Sequence, residues 1–256
     1  MIKITFLGTG TSQGIPVIGS DHPVSFSDDL KDKRLRSSIL IEYKDFNFVI
    51  DCGPDFRQQM LKTNCRKLDA IIFTHEHADH TTGIDDVRPY FFRQGKIPIY
   101  LHERVLNSLH NRFAYIFDPK QKYPGAPDFE VNLITKENDF QILGLNITPI
   151  EAVHYKLPVL GFRLGKFAYL TDVKTISDKE MLKLNGLDTL VINALRYESH
   201  PSHLNIEEAL EIINQVKPKQ TFFTHISHNM GFHEEVCSSL PKSVSLAFDG
   251  LVLEVD

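Results

Sequence analysis

The chain has 256 residues, a hydrophobic fraction of 42%, a charged fraction of 24% and a net charge of −5. These values are typical of a globular protein and exclude a disordered chain. The acidic balance disfavours nucleic acid as a partner, because domains that bind it usually carry an excess of basic residues. No stretch approaches the roughly 18 apolar residues of a membrane span, and no secretion signal precedes the first strand. We therefore expect a cytoplasmic protein without a membrane partner.

The first 50 residues predict a strand, a glycine-rich loop and a hairpin. Ile2–Leu7 alternates apolar and polar residues, as a half-buried strand does. Gly8–Pro16 contains three glycines and leads into no helical pattern, so it is either a tight turn or a loop beneath an anionic substrate. The basic run Lys31–Arg36 is interpreted as a solvated face, with a contact to a phosphate group as the alternative. The hairpin over 38–50 ends at Asp51, a carboxylate expected to orient a neighbouring side chain.

The apolar run Ala70–Phe73 leads into the most informative stretch, Thr74-His-Glu-His-Ala-Asp-His80. His75 and His77 are two residues apart, so in an extended segment their side chains point the same way. Asp79 and His80 follow where the chain turns and can face a second point. Imidazole and carboxylate together suit borderline divalent cations. The spacing favours two adjacent metal ions, and it disfavours the alternative of a histidine-rich solvated turn.

The second half of the chain repeats the pattern of strands that end in polar residues. An aromatic-rich insert over 113–130 is interpreted as a lid or a dimer surface. One strand is predicted over 141–153, a hairpin over 159–170, a capped helix over 206–216, and a final hairpin that joins 243–248 to 251–255. Histidine or aspartate follows several of these strands, at His154, Asp172 and His225.

Two strand-rich halves, each followed by helices, predict an α/β fold. The expected architecture is a four-layer αβ/βα sandwich that forms a single domain over residues 1–256. Strand ends converge on one edge of such a sandwich, which brings distant candidate ligands together. These are His75, His77, Asp79, His80, His154, Asp172, His203 and His225.

The pattern His-x-His-x-Asp-His at 75–80 resembles the signature of the metallo-β-lactamase superfamily, and the resemblance covers nearly the whole chain. It implies two divalent ions, with Zn or Mn favoured and Fe or Ni also suited to the ligands. It also implies a hydroxide held between them as the nucleophile. The implied ligands are His75, His77 and His154 for the first ion, Asp79, His80 and His225 for the second, and Asp172 as the bridge. Asp79 is counted with the catalytic residues as well.

Two branches of the superfamily share further motifs with the chain, tRNase Z and the PhnP-like phosphodiesterases. The motifs of the second branch are residues 8–17, 33–38, 51–57, 85–89 and 224–228. A tRNase Z typically carries a long RNA-gripping arm between its third histidine and its bridging aspartate. Only 17 residues separate His154 from Asp172, and they indicate a plain hairpin. The expected substrate is therefore a small or cyclic phosphodiester.

His203, in the segment Ser202-His203-Leu204-Asn205, resembles the additional histidine of phosphodiesterase members. In those proteins it is placed to protonate the leaving oxygen, a role that suits imidazole. His200 is the rival candidate, and a loop histidine at a helix N-terminus is the alternative for either residue.

One departure from the PhnP-like pattern concerns a structural zinc site. Ser20, His22 and Ser25 stand where relatives carry cysteines, with His228 as the later histidine. Hydroxyls bind zinc poorly, so we expect this site to be absent or reduced to a remnant on the two histidines. A homodimer is expected by resemblance to relatives. The alternative functions are a tRNase Z-like nuclease, a lactonase, a thioesterase, or a metal-binding protein with little activity.

Overall fold

The computed structural model describes residues 1–256 and contains fifteen strands. Numbered in chain order, they are β1 (Ile2–Gly8), β2 (Ser38–Tyr43), β3 (Phe46–Ile50), β4 (Ala70–Ile72), β5 (Ile97–Leu101), β6 (Phe129–Leu133), β7 (Phe140–Ile142), β8 (Leu145–His154), β9 (Leu157–Leu164), β10 (Phe167–Leu170), β11 (Thr175–Ile176), β12 (Thr189–Asn193), β13 (Gln220–Thr224), β14 (Val244–Leu246) and β15 (Val252–Val255).

Eight α-helices and five short 3-10 turns connect the strands. The helices are α1 (Phe56–Thr63), α2 (Ala78–Thr81), α3 (Arg88–Gln94), α4 (Glu103–Arg112), α5 (Ala114–Phe117), α6 (Asp178–Met181), α7 (Ile206–Val216) and α8 (His233–Ser239). The 3-10 turns cover Pro23–Phe26, Leu30–Asp32, Thr82–Val87, Leu182–Leu184 and His228–Met230. None of the helices is both long and apolar enough to cross a membrane.

The strands form two sheets of the same design. The first sheet has the order β15-β1-β2-β3-β4-β5-β6, and the second has the order β11-β8-β9-β10-β12-β13-β14, with β7 paired to β8. In each sheet, antiparallel neighbours are followed by three parallel pairings in a row. Each parallel pairing requires a crossover connection, and this places helices on the outer face of each sheet.

Three separate buried clusters, of 22, 20 and 19 residues, show that the sandwich has four layers. Within β2, Ile39 and Ile41 face the cluster between the sheets, whereas Leu40 faces the helices outside the first sheet. Strand residues alternate between faces in this way because successive side chains point to opposite sides. The predicted αβ/βα sandwich is therefore confirmed.

Two predictions, one of a strand and one of a hairpin, differ from the structure. The strand expected over 141–153 is two strands, β7 and β8, because Leu143 adopts a positive φ of 51° and turns the chain. The prediction of a final hairpin is wrong. β14 pairs with β13 in the second sheet, whereas β15 pairs with β1 in the first. Asp249 fixes this crossing, since its carboxylate accepts hydrogen bonds from Leu35 N at 2.7 Å and Thr9 Oγ1 at 2.8 Å.

The interpretation of the basic run as a solvated face is wrong for Arg34. This residue is 3% exposed. Its guanidinium donates to Thr9 Oγ1 at 2.7 Å and to the carbonyl of Ala247, and it lies 3.1 Å from His233 Nδ1. The buried guanidinium of Arg34 thus joins the glycine-rich loop to the last strands and to α8.

Candidate metal centre

The histidine-rich loop leaves the first sheet directly after β4. His75 and His80 are fully buried, Asp79 is partly buried, and His77 is exposed just before α2. Gly53 allows the loop to approach the end of β3, because a Cβ at that position would lie 2.0 Å from the carbonyl oxygen of Asp79. The loop can therefore pack against the end of β3 only because Gly53 has no side chain.

Asp51 orients this loop, as the sequence predicted. Its carboxylate lies 2.7 Å from His80 Nδ1 and accepts hydrogen bonds from Thr74 N and Thr74 Oγ1, both at 2.9 Å. Thr74 Oγ1 also lies 2.9 Å from His75 Nδ1. When Nδ1 of a histidine is engaged in this way, its Nε2 is free to bind a metal ion.

The second sheet contributes three more residues, each at the end of a different strand. His154 ends β8, Asp172 follows β10 and His225 follows β13. The Nδ1 atom of His154 lies 2.7 Å from the carbonyl oxygen of Ser202, which orients that ring. His225 Nδ1 lies 3.4 Å from Thr171 Oγ1, and His225 Nε2 lies 3.3 Å from Asp172 Oδ1.

Left-handed backbone conformations accumulate around this edge. Asp51, Tyr155, Asp172 and His225 all have φ between 55° and 68°. A residue with a Cβ carries a cost of about 1 kcal/mol in this region. Such residues persist where the surrounding structure requires them, which is typical of functional sites.

The donor set fits divalent cations. The Nε2 atoms of His75 and His80 are buried without a hydrogen-bond partner. His80 Nε2 lies 3.2 Å from a carboxylate oxygen of both Asp79 and Asp172, although these contacts lack hydrogen-bond geometry. Metal–ligand bonds of about 2.1 Å in tetrahedral geometry separate neighbouring ligand atoms by roughly 3.4 Å, close to these distances.

The charges at the site also favour a bound cation. Burial alone would lower the pKa of His80, but the carboxylates of Asp79, Asp172 and Asp51 raise it well above its ordinary value. The three carboxylates around His80 thus favour a positive charge at this point, and a bound metal ion would supply one.

The structure gathers all seven predicted ligands at one edge of the sandwich. Three groups have ligand atoms within 4.8 Å of one another, namely His75-His80-Asp172, Asp79-His80-His225 and His154-Asp172-His203. Asp172 and His80 each belong to two of these groups. His77 belongs to none, and its ring lies 4.6 Å from the ring of His75 and 5.1 Å from that of His154. The assignment of each residue to a particular ion stays a prediction.

His203 lies beside the ligands, and His200 lies farther out. The His203 ring is 4.5 Å from the ring of His154 and 4.9 Å from that of His225. Its Nδ1 is 3.8 Å from Asp172 Oδ1 and has no hydrogen-bond partner. Burial, reinforced by His225, lowers the pKa of His203 to about 2. The ring can donate a proton only if a bound anion raises this pKa again, since an adjacent negative charge favours the protonated form. Asp172 is therefore the carboxylate nearest to this histidine, a neighbour that sequence patterns did not identify.

Sequence reasoning also missed several residues that hold the site in place. Asn193, at the end of β12, accepts from Val173 N at 2.6 Å and donates to Val173 O at 3.1 Å, directly after Asp172. Arg104 in α4 donates to Glu76 Oε1 at 2.8 Å and to the carbonyl of Pro158. The position of Asn193 at a strand end was a usable signal, whereas nothing in the sequence pairs Arg104 with Glu76.

Residues at the expected remnant site serve local structure. Ser20 Oγ accepts from His22 N at 3.1 Å, and His22 Nδ1 accepts from Val24 N at 3.3 Å, which caps the first 3-10 turn. The rings of His22 and His228 are 5.2 Å apart. Ser25 Oγ is buried without a partner. Whether a metal ion binds there stays a prediction.

The glycine-rich loop is a tight, packed turn. A Cβ on Gly8 would lie 2.0 Å from the carbonyl oxygen of Arg36, so no larger residue fits. Thr11 N donates to Ile226 O at 3.0 Å, and Thr11 Oγ1 lies 3.2 Å from His225 Nε2. The loop thus joins the N-terminal strand to the last candidate ligand. Its suggested contact with a substrate stays a prediction.

A four-layer sandwich whose two sheets place histidines and aspartates at a shared edge defines a class of metal-dependent hydrolases. The chain belongs to the metallo-β-lactamase superfamily, since a family model described as a beta-lactamase superfamily domain matches residues 46–226. This family implies divalent metal ions at the cluster described above.

Comparison with solved structures places the chain in the PhnP-like branch. A structure described as a new diphosphatase from the PhnP family is 39% identical, with a TM-score of 0.93, covering 100% of this chain and 98% of that one. The short form of human tRNase Z shares the fold, with a TM-score of 0.68 at 18% identity and 99% coverage of both chains.

Two curated relatives add to this picture. A protein of Porphyromonas gingivalis named octanoyltransferase is 38% identical over 257 residues, which is all of this chain and 52% of that protein. A ribonuclease Z of Bradyrhizobium diazoefficiens is 34% identical over 86 residues, covering 33% of this chain and 23% of that protein. The chain therefore spans about half of the first relative and less than a quarter of the second.

Proposed function

We propose that this metal-dependent hydrolase cleaves phosphodiester or diphosphate bonds in small molecules, with two divalent ions and with His203 as the proton donor. Zinc or manganese suits the mixed imidazole and carboxylate ligands. The similar structure described as a diphosphatase supports a phosphorus-centred reaction. The proposal extends to a cytoplasmic homodimer, as expected from the sequence.

The proposed reaction assigns different roles to the residues of the site. His75, His77, His154, Asp79, His80, His225 and Asp172 would hold the ions. When bound, two ions supply an ionised water near neutral pH and draw charge from a phosphoryl oxygen. Asp51, Thr74 and Asn193 keep the ligand side chains and their backbone in place, so the site does not reorganise when the substrate binds.

The position of His203 is the observation that supports the proposal most strongly. Its ring lies between those of His154 and His225, and its Nδ1 lies 3.8 Å from Asp172 Oδ1. A proton donor here stands next to the phosphorus atom that the cluster would hold. Phosphate esters with poor leaving groups need such a donor, because an unprotonated alkoxide leaves slowly.

The connections near the site support a small substrate. His154 and Asp172 are joined only by β9, β10 and two short turns, at Tyr155-Lys156 and at Gly165-Lys166. No arm that could grip RNA extends from this region. A ribonuclease Z-like activity remains the second candidate, favoured by the sequence similarity to ribonuclease Z over part of the chain.

Hydrolysis assays test the proposal. Metal-stripped protein is supplied with Mn²⁺ or Zn²⁺ and given a bis(4-nitrophenyl) phosphodiester, its monoester, an alkyl 4-nitrophenyl diester, a dialkyl diphosphate, a thioester, a lactone and a precursor tRNA. We expect metal-dependent cleavage of diesters or diphosphates and little cleavage of the monoester. Faster cleavage of the thioester, the lactone or the tRNA would replace the proposal with that activity.

The role of His203 has its own test. His203→Ala should lower kcat by about 10²- to 10⁴-fold for alkoxide leaving groups and by much less for 4-nitrophenolate, which leaves without a proton. His200→Ala tests the rival, and His110→Ala, on the exposed face of α4, is the control. An equal loss for both classes of leaving group would show that His203 is not the proton donor.

The octanoyltransferase activity named for the P. gingivalis relative is not proposed for this chain. The match leaves nearly half of that protein unaccounted for. The matched part of that relative corresponds to the whole of this chain, whose clustered residues suit divalent cations.

A further inference from the structure

A cavity of about 580 Å³ opens directly beside the candidate metal centre. Its lining includes His77 and His154, the turn residues Tyr155 and Lys156, and Pro201 and Ser202 from the loop that precedes His203. Two other cavities, of about 450 and 570 Å³, border α1 and contain no candidate ligand. A substrate held at the cluster would therefore enter the cavity lined by His77 and His154. The volume of that cavity suits a small-molecule ligand.

Tyr155 presents an aromatic ring to this cavity at a conformational cost. Its φ is 58°, in the region that favours glycine, and the residue is 62% exposed. An exposed side chain gains little from packing, so the fold itself does not account for a bulky residue at this turn. A glycine at this position would relieve the strain but would lack the aromatic ring. The ring therefore has a use other than packing.

Lys156 adds a positive charge next to that ring. Its Nζ lies 5.3 Å from the centre of the Tyr155 ring, and no carboxylate lies within 4 Å of it. An ammonium group without a carboxylate partner is available to an anionic ligand. Ring and charge together match a flat heterocycle that carries phosphate.

The turn is held in a fixed position relative to the histidine-rich loop. Arg104 binds Glu76, which lies between His75 and His77, and it also binds the carbonyl of Pro158, two residues after Lys156. Leu160 N donates to Thr74 O at 3.0 Å, a bond between the two sheets. The wall of the cavity is thus anchored to the cluster on which the reaction would occur.

We infer that this cavity is the leaving-group subsite and that it accepts a nucleoside monophosphate released from a nucleoside diphosphate ester. The inference rests on the proposed function and specifies its substrate class. Water would attack the distal phosphorus, a new P–O bond would form, and the bond from that phosphorus to the bridging oxygen would break. The bridging oxygen would depart with the nucleoside monophosphate on the side of His203, where the cavity begins.

Two substrates and four variants test the subsite. The methyl ester of adenosine diphosphate carries the ring, whereas dimethyl diphosphate lacks it. Tyr155→Gly should raise KM for the first by about 10-fold, since stacking on an aromatic ring contributes this much or more, and leave the second unchanged. Tyr155→Phe should retain the original KM. Lys156→Gln should raise KM for the adenosine substrate by a few fold.

Lys44→Gly is the matched control. Lys44 lies in the β2–β3 turn at the far end of the strands, with a φ of 54°, and its Nζ lies 4.9 Å from the Tyr43 ring. Both glycine variants should raise Tm by a few degrees, because both remove the same strain. Only Tyr155→Gly should change KM. An unchanged KM for the adenosine substrate in that variant, or the same rise in KM for both substrates, would overturn the inference.

Binding of adenosine monophosphate, measured by calorimetry, separates this inference from the proposed function. The unaltered protein should bind it, and Tyr155→Gly should weaken the affinity by about 10-fold. If neither the diphosphates nor the phosphodiesters are cleaved but this difference in binding is found, the proposed function fails and the subsite stands. If the nucleotide does not bind, or binds both proteins equally, the subsite is refuted whatever the activity.

Discussion

The two sheets contribute to the cluster in different ways. The first sheet provides four candidate ligands from one loop of six residues, His75 to His80, and holds them with a buried carboxylate, Asp51. The second sheet provides His154, Asp172 and His225 from three separate strand ends. Their supports are neutral groups, among them the carbonyl of Ser202 and the amide of Asn193.

This difference separates two ways of orienting a ligand. A charged support raises the basicity of the imidazole that it holds, and its loss leaves a buried group without its partner. A neutral support fixes position alone, and its loss costs one or two hydrogen bonds. The first sheet should therefore be the more sensitive of the two to single substitutions in its supporting residues.

Asp172→Asn should have the largest effect, because Asp172 lies near ligands from both sheets. Its carboxylate is 3.2 Å from His80 Nε2 and 3.3 Å from His225 Nε2. We expect kcat/KM to fall by more than about 100-fold together with the metal content, since even supporting residues cost up to that much. Elemental analysis of the purified variant measures the second quantity. A variant that keeps both metal ions and full activity would refute the bridging role.

Asp51→Asn tests the charged support. It removes the carboxylate that faces His80 Nδ1, and we expect a loss of metal affinity of about 10- to 100-fold. Competition with a chromogenic chelator measures that affinity. The control is Asp188→Asn, at the opposite end of β12, where the carboxylate pairs with Lys219 at 2.9 Å on the surface. Equal affinities in the two variants would show that Asp51 does not tune the site.

Asn193→Ala tests the neutral support and should be milder. It removes two hydrogen bonds to Val173, and we expect a loss of stability of about 2 kcal/mol, with a change in metal affinity below about 10-fold. Urea unfolding and the same chelator competition measure the two quantities. A loss of affinity larger than that of Asp51→Asn would reverse the comparison between the sheets.

Arg104→Met should have the smallest effect on the cluster, since Arg104 connects the sheets without contacting a candidate ligand. Its ion pair with Glu76 is partly exposed, so we expect a loss of stability of about 1 kcal/mol or less. The KM for the methyl ester of adenosine diphosphate should rise about two- to threefold, because the turn that carries Tyr155 loses one of its hydrogen bonds. An unchanged KM would show that Leu160 and the neighbouring strands fix the turn without it.

The contiguous part of the site was predictable from the sequence, and the dispersed part much less so. The loop from His75 to His80 has a pattern that periodicity and spacing can interpret. Asp172 and His225 are single residues at strand ends, and their role followed from a family resemblance. Their distances depend on the packing of two sheets, which no local pattern specifies.

The errors in the fold have the same origin. Asp249-Gly250 is a strong hairpin signal, yet hydrogen bonds from Thr9 and Leu35, more than 200 residues away, direct the chain between sheets instead. Leu143 is an unusual residue for a left-handed turn, and the sequence signal for the break between β7 and β8 was Gly144, which also has a positive φ. Arg34 looked like a surface charge because its buried partners are distant in sequence.

The pairing of β1 with β15 has a consequence for synthesis. Ile2 lies opposite Val255, so β1 pairs with a strand that is synthesised about 250 residues after it. Until β15 is made, β1 has an unpaired edge, which is a template for association with other chains. Contacts of such long sequence separation also form slowly. A nascent chain would therefore expose this edge while the residues between β1 and β15 are synthesised, and chaperones would encounter β1 before its partner strand exists.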